Sequence, residues 1–455
     1  MSPDRPFWWI QVPEVLVQGR NSEGLVISDR NHLLFEAASA VIPGGVNTSL
    51  RRLDPPLVFR GASGAMIWDV DGGEYIDYHA AFGPILLGHC YSEVDRAVAK
   101  TISEIDLLGV GTTELEIEVG RKICQLVPSA EKVLFCNSGS EATFSAIRLA
   151  RAVTGEKKVI KFQGCYHGWH DAVALNVIST EDKIGQRDPL SAGSLEETLN
   201  HTVVCDFNRL QTVEDAVKRH RGEMAAVIVE PIPHNIGCVL PNPGFLEGLR
   251  EITKREGIIL IFDEVITGFR HALGGYQEVC SVTPDLTTLG KAMANGYPMA
   301  AVCGRGDLMD RFATYQGGDV LFAGTYNGHP LACAAALATI SVLERCKVHA
   351  HIFDLGEKMR RGLETIVARL GIPATVKGFG SVFVLYFMEG PIETYTDLLR
   401  NDSQQFIKYR RGLMKRGIFE LPLNLKRSHI SFSHTEAHVN HSLNAAEDVL
   451  KEITS

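Results

Sequence analysis

Ile258-Ile259-Leu260-Ile261-Phe262-Asp263-Glu264 is an unbroken apolar run of strand length that ends directly in two acids. A strand of this kind has no polar face, so it must be covered on both sides, as in a parallel sheet between helices. Upstream, Val227-Ile228-Val229-Glu230-Pro231 repeats the pattern. Further strands are predicted over Lys132 to Cys136, Val159 to Phe162, Ala225 to Val229 and Leu286 to Leu289, with longer segments of helical period between them. The expected fold class is α/β with a mostly parallel sheet. Acids at the carboxyl ends of such strands lie where open α/β sheets bind their ligands.

On the N-terminal side, Leu33 to Ile42 reads as a lead-in helix stopped by Pro43-Gly44-Gly45. The apolar alternation around Val58 to Arg60, Ala65 to Val70 and Tyr75 to Tyr78 predicts a hairpin about the Asp71-Gly72 turn. On the C-terminal side the pattern gives helices near Pro330 to Arg345, Phe353 to Leu370 and Gln404 to Lys415. Strands are expected at Ser381 to Phe387 and Ile430 to Ser433, followed by a last helix. This organisation divides the chain into an N-terminal arm with part of a small domain (1–95), a large domain (96–335) and a C-terminal small domain (336–455). Residues 171–200 are polar and turn-rich, and read equally as a loop over a site or a surface insertion.

Composition narrows the function. The 455 residues are 45% hydrophobic and 22% charged, a globular balance. With 54 acidic against 45 basic residues and no basic run, the chain lacks the electrostatic footprint of a nucleic-acid binder. Its 10 cysteines contain no C-x-x-C pair, which fits reduced thiols in a cytoplasm better than a disulfide scaffold or a zinc ribbon. Phe7-Trp8-Trp9-Ile10 is too short for an export signal, and no run approaches the ~18 apolar residues of a membrane span. The expected location is cytoplasmic.

Phosphate-loop, dinucleotide and hydrolase-elbow motifs are absent, and His167-Gly168-Trp169-His170-Asp171 is a poor metal site because no fourth ligand accompanies it. No metal is expected. Asn137-Ser138-Gly139-Ser140-Glu141-Ala142 joins a strand to an amphipathic helix. Free N–H groups and hydroxyls at a helix N-terminus attract a dianion, although read alone the segment is more readily an ordinary serine cap with Glu141 in the first turn. Lys291, just past Leu286 to Leu289, is alone no more than a surface lysine, and Asp263 alone a cap or ion-pair partner. Together they supply an anion cup, an acid and an amine at successive strand ends. Pyridoxal phosphate requires that combination for its phosphate, its ring nitrogen and its aldehyde.

Asn137-Ser-Gly-Ser-Glu-Ala142, Tyr166-His-Gly168, Glu230-Pro231, Asp263-Glu-Val-Ile-Thr-Gly-Phe-Arg270, Thr288-Leu-Gly-Lys291 and Gly324-Thr325 occur in the same order as in the class III (ω-type) pyridoxal-phosphate aminotransferases. From about residue 40 to the C-terminus the chain resembles that family, and most closely its glutamate-1-semialdehyde aminomutase-like branch. The resemblance implies fold type I, with a mostly parallel seven-stranded sheet, and a homodimer whose site is shared between subunits. It implies that Lys291 is the Schiff-base lysine and proton shuttle and that Asp263 holds the ring-nitrogen proton. Ser138, Gly139 and Ser140 would bind the phosphate, as would Thr325 from the neighbouring subunit. Tyr166 would stack on the ring, with His167 also counted among the cofactor contacts. Asn235 would reach the ring hydroxyl, and Glu230 would support this group.

The resemblance extends to substrate recognition through Pro43-Gly-Gly-Val-Asn-Thr-Ser-Leu-Arg51, where Arg51 would hold a substrate carboxylate in its guanidinium fork. Two positions depart from the aminomutase pattern. Lys426 stands where that family has an acid near the last strand, and Phe82 replaces a pocket tryptophan. The loop after His167, which in the mutase retains a diamine intermediate, also diverges. The expected activity is therefore amino transfer between an α- or β-amino acid, aromatic ones included, or an amine, and a 2-oxo acid. Glutamate-1-semialdehyde 2,1-aminomutase is the alternative, followed by an amino-acid epimerase and a non-catalytic dimeric module.

Overall fold

The computed structural model describes residues 29–454. The Phe7–Ile10 segment considered above lies outside them. Contacts divide the chain into two compact units, one taking in residues up to Gly61 with Ile67–Glu74, the other Ala62–Met66 with Tyr75 onward.

In the first unit, helix Arg30–Val41 starts at Asp29, whose carboxylate accepts from the backbone N–H of His32. Asp71 ties the helix down by accepting from the N–H groups of Arg30 and Asn31 and from the Asn31 side chain. The expected Asp71-Gly72 turn lies in this unit with Ile67–Glu74, while the outer ends of the strands Met66–Asp69 and Glu74–Asp77 belong to the second. Gly72 adopts φ 94°, a conformation that costs glycine nothing.

The second unit is built on a seven-stranded sheet in the order Lys132–Cys136, Ala300–Gly304, Leu286–Leu289, Ile259–Glu264, Met224–Val229, Lys158–Phe162, Thr202–Cys205. Met224–Val229 and Ile259–Glu264 are buried at every residue, as their two-faced apolar sequences require. All five expected strands form. Ala300–Gly304 is the antiparallel member, pairing with Leu286–Leu289 and Lys132–Cys136. The connection from Leu289 to Ala300 is too short to carry a crossover helix, so the chain must return antiparallel.

The helices Pro330–Arg345, Val348–Leu370 and Ser403–Met414 agree with expectation to within a few residues. The strand expected at Ile430 to Ser433 is instead Ser428–His429. Beyond it the chain stays extended but changes partner: Ile430 N–H donates to Ser381 O at 2.8 Å and Phe432 N–H to Leu86 O at 2.8 Å, so no continuous ladder forms. In the segment 171–200, Val173, Ala174, Leu175 and Val177 are buried, so its first part is core rather than a surface insertion. Among the described residues no helix is long and apolar enough to cross a membrane.

Candidate active site

The carboxyl ends of adjacent strands gather the residues singled out above. Asp263 and Glu264 end Ile259–Glu264, Glu230 follows Met224–Val229, Tyr166 and His167 follow Lys158–Phe162, and Lys291 follows Leu286–Leu289. In the sheet register Asp263 lies opposite Thr288, three residues before Lys291.

Asp263 is buried and fixed from three directions. Its Oδ2 meets His167 Nδ1 at 2.7 Å, while Oδ1 accepts from Thr288 Oγ1 at 3.0 Å and from the Val265 N–H at 3.2 Å. Two donors fill the lone pairs of Oδ1 but only one meets Oδ2, so Oδ2 can still accept a proton-bearing ring nitrogen. Glu230 ties two loops together, accepting from the N–H of Tyr166 at 2.8 Å and of His234 at 3.1 Å. Burial raises the Glu230 pKa above the usual carboxylate value.

The Ser138 side chain caps helix Gly139–Thr154, accepting from Glu141 N–H, and Glu141 in return accepts from the N–H groups of Ser138 and Asn137. The ordinary capping box is thus real, and it leaves the first-turn N–H groups of Gly139 and Ser140 without an intrahelical partner. Two glycines shape the cup. A Cβ at Gly139 would stand 2.9 Å from Val265 Cγ1, and one at Gly168, where φ is 113°, 2.6 Å from Ser140 Oγ. The Tyr166 hydroxyl is hydrogen-bonded to Ser140, which places this ring beside the cup.

Lys291 takes φ 44°, a left-handed conformation that only a well-determined surrounding maintains in a lysine. Burial and the nearby Arg427 lower its pKa to about 8, against the opposing pull of Asp263 and Glu230. At pH 7 about a tenth of such a group is the neutral amine, against about 0.03% for an ordinary lysine. The rate at which the apoprotein captures pyridoxal phosphate should therefore rise with pH and level off above about 8. Stopped-flow absorbance would show this, and a rate still climbing to pH 10 would contradict the perturbed lysine.

Asn235 and Lys426 are joined directly. Lys426 Nζ donates to Asn235 O at 2.8 Å and to Asn235 Oδ1 at 2.9 Å. Arg427 Nη2 donates to Phe82 O at 2.7 Å, so both departures from the aminomutase pattern, Lys426 and Phe82, lie around neighbouring cations. Phe82 is half-buried, its ring edge-on to His79 with centroids 4.2 Å apart. Thr325 is exposed, on a turn whose Asn327 accepts from Asn137 Nδ2 at 3.0 Å beside the cup. Arg51 belongs to the first unit, exposed on the turn Ser49–Arg51.

Sequence reasoning passed over three participants. Arg270, within a quoted motif, and Arg427, next to Lys426, are both buried. Burial lowers their pKa values to about 9 and about 10 respectively. The third is the buried pair His234 and His271, whose Nε2 atoms are 3.0 Å apart. The Pro233-His-Asn-Ile-Gly237 stretch and the arginine closing the Asp263 motif were the available signals. Among the described residues no group of three His, Cys, Asp or Glu side chains is placed to hold a metal ion.

A cup for a dianion, an acid with one acceptor position left, a partly neutral lysine and a buried unpaired Asn235 Nδ2 fit pyridoxal phosphate group by group. Residues 49–414 match the family described as aminotransferase class-III. The chain belongs to the class III aminotransferases. A glutamate-1-semialdehyde 2,1-aminomutase of Desulforudis audaxviator is 41% identical over 93% of this chain and 98% of its own. An ω-transaminase from Sphaerobacter thermophilus superposes with a TM-score of 0.88 at 32% identity, covering 93% of this chain and 98% of that one. A transaminase with pyridoxal phosphate bound gives a TM-score of 0.86 at 28% identity, covering 94% and 99%. Within the class III family the chain falls in the glutamate-1-semialdehyde aminomutase-like branch, with fold type I and pyridoxal phosphate as cofactor.

Proposed function

We propose that this class III enzyme is an aminotransferase, passing an amino group from an amino acid or amine to a 2-oxo acid in two half-reactions. The bound cofactor supplies an electron sink for the carbon that loses its proton. Lys291 Nζ would move that proton, Asp263 Oδ2 would hold the ring nitrogen, and the first turn of Gly139–Thr154 with Ser138 and Ser140 would hold the phosphate. Asn235 Nδ2 would donate to the ring hydroxyl, Tyr166 would cover the ring, and His167 would orient Asp263. The observation that carries the choice is Lys426, a buried cation bonded to Asn235 where the mutases have an acid. The basic groups Arg427, Arg270, Lys426, whose pKa burial lowers to about 7, and the half-buried Lys291 outnumber the strand-end acids Asp263, Glu264 and Glu230, a field that favours carboxylate-bearing substrates. Arg51 would hold the substrate carboxylate, and Phe82 would line an apolar part of the pocket.

The second reading is glutamate-1-semialdehyde 2,1-aminomutase, and the curated relatives favour it over the first, since those at 38 to 41% identity carry that name. One experiment separates the two. The purified holoenzyme is given α-amino acids, β-amino acids and amines one at a time without acceptor, and separately glutamate-1-semialdehyde alone. Loss of the visible band with particular donors, with no turnover of the aminoaldehyde, supports the aminotransferase; sustained acceptor-free turnover of the aminoaldehyde makes it the mutase. In the same panel Arg51→Ala should raise KM for carboxylate-bearing donors about tenfold and spare simple amines, whereas equal loss on both would make Arg51 structural.

A homodimer belongs to this proposal, with Thr325 completing the phosphate site of a second copy. The exposed Phe144, Trp169, Leu321 and Tyr326 support it, because the first three line a cavity of about 310 Å³ beside the cup. The division into residues 1–95, 96–335 and 336–455 is proposed with it.

A further inference from the structure

Lys426 is 2% exposed and has no ion-pair partner among the described residues. Its ammonium group is instead spent on one residue, reaching both oxygens of Asn235 at 2.8 and 2.9 Å. As an ammonium Lys426 can only donate, which turns Oδ1 toward it and Nδ2 away; burial and the neighbouring Arg427 lower its pKa to about 7. Asn235 Nδ2 is buried and has no acceptor among the described residues. A buried N–H without a partner is unfavourable, and the cost is removed if a ligand atom accepts from it.

We propose that Lys426 is a positioning residue: it locks the Asn235 amide in the single orientation that offers Nδ2 as a donor to the ring oxygen of the cofactor. The inference rests on the reading of Asn235 given above and adds a cause for its orientation. Without Lys426 the amide is free to turn, and the flipped form sets its carbonyl oxygen against the ring oxygen, two acceptors facing each other. Arg410 Nη2 donates to the Lys426 backbone O, and the charged groups that act on its ammonium are Arg427, next to it in the chain, and Glu230 at the end of Met224–Val229. Neither takes its hydrogen bonds, so the contact to Asn235 is the one that Lys426 serves. The clip also fixes the backbone, since Asn235 O and Oδ1 are held from the same nitrogen.

The test compares Lys426→Met, Asn235→Ala and the double variant with the parent full-length protein, reading the position of the visible cofactor band and the dissociation constant of pyridoxal phosphate from the apoprotein. Each single variant should shift the band and weaken cofactor binding about tenfold, and the double variant should do no worse than Asn235→Ala. Lys426→Arg, a donor only, should keep the parent band, while Lys426→Gln, which can accept as well as donate, should fall between. If Asn235→Ala leaves band and affinity unchanged, the ring-oxygen reading of Asn235 fails and takes this inference with it. If Asn235→Ala has its effect but Lys426→Met has none, or the two effects add in full, the inference alone is overturned. Thermal melts of each variant separate loss of folding from loss of positioning.

Discussion

Lys291→Ala is expected to lose the visible band of the bound cofactor and to reduce turnover by about 10⁴-fold or to below detection, with the fold intact. The size follows from two roles lost together, since the same nitrogen anchors the aldehyde and carries a proton, and positioned proton transfer alone is worth about 10² to 10⁴. Lys291→Arg sharpens the result. It keeps the positive charge, but a guanidinium does not become a neutral base near pH 7, so it should be as inactive as alanine. Thermal stability should change little in either variant, because Lys291 is half-buried on a short turn and its side chain makes no hydrogen bond among the described residues. Absorbance spectra and initial rates with excess pyridoxal phosphate provide the check. A Lys291→Ala protein that transaminates at the parent rate would remove the lysine from the chemistry.

The residues with a chemical role that could be read from sequence share one property: they stand directly after a strand that is legible by itself. Glu230 and Asp263 each stand at the end of a continuous apolar run, which needs no tertiary information to be recognised, while Lys291 follows the short β-branched stretch Leu286-Thr287-Thr288-Leu289. The missed strands lack that signal. Thr202–Cys205 is a four-residue edge strand with its two central residues only half-buried, and Ala300–Gly304 is built largely from small residues with weak strand preference. Arg270 and Arg427 were illegible as site residues for another reason. Their contacts to Gly83, Ser381 and Phe82 are remote in the chain, and the near contact, Arg427 Nε donating to His429 Nε2 at 3.3 Å, does not announce them. Lys426 stood out only against the acid expected from the resemblance, and the structure then gave it a partner, Asn235, that the sequence did not pair with it.

Those same remote contacts predict the largest loss of stability. Ala80, Ala81 and Phe82 take φ values of 49°, 53° and 67°, and Gly83 follows at 107°. Non-glycine residues in this region cost about 1 to 3 kcal/mol each, so the turn persists only because its surroundings dictate it. Two guanidiniums do so, Arg427 donating to Phe82 O and Arg270 to Gly83 O, with Arg270 Nη1 also donating to Ser381 Oγ at 3.1 Å. Arg270 is 0% exposed and has no carboxylate partner among the described residues. Its removal therefore has two opposed consequences. Relief of an unpaired buried charge stabilises, while a cavity and two stranded acceptors destabilise. For Arg270→Ala the cavity and the stranded groups should win, with a loss of about 3 to 5 kcal/mol in denaturant unfolding. Arg270→Met fills most of the space and sheds the charge, so its loss should be about 1 to 2 kcal/mol, all of it from the stranded carbonyl and hydroxyl. The order of the two variants is the informative part. A methionine variant as unstable as the alanine one would mean that the hydrogen bonds to the turn outweigh packing. A methionine variant more stable than the parent would mean that the buried charge is kept for the electrostatics of the site at the expense of the fold.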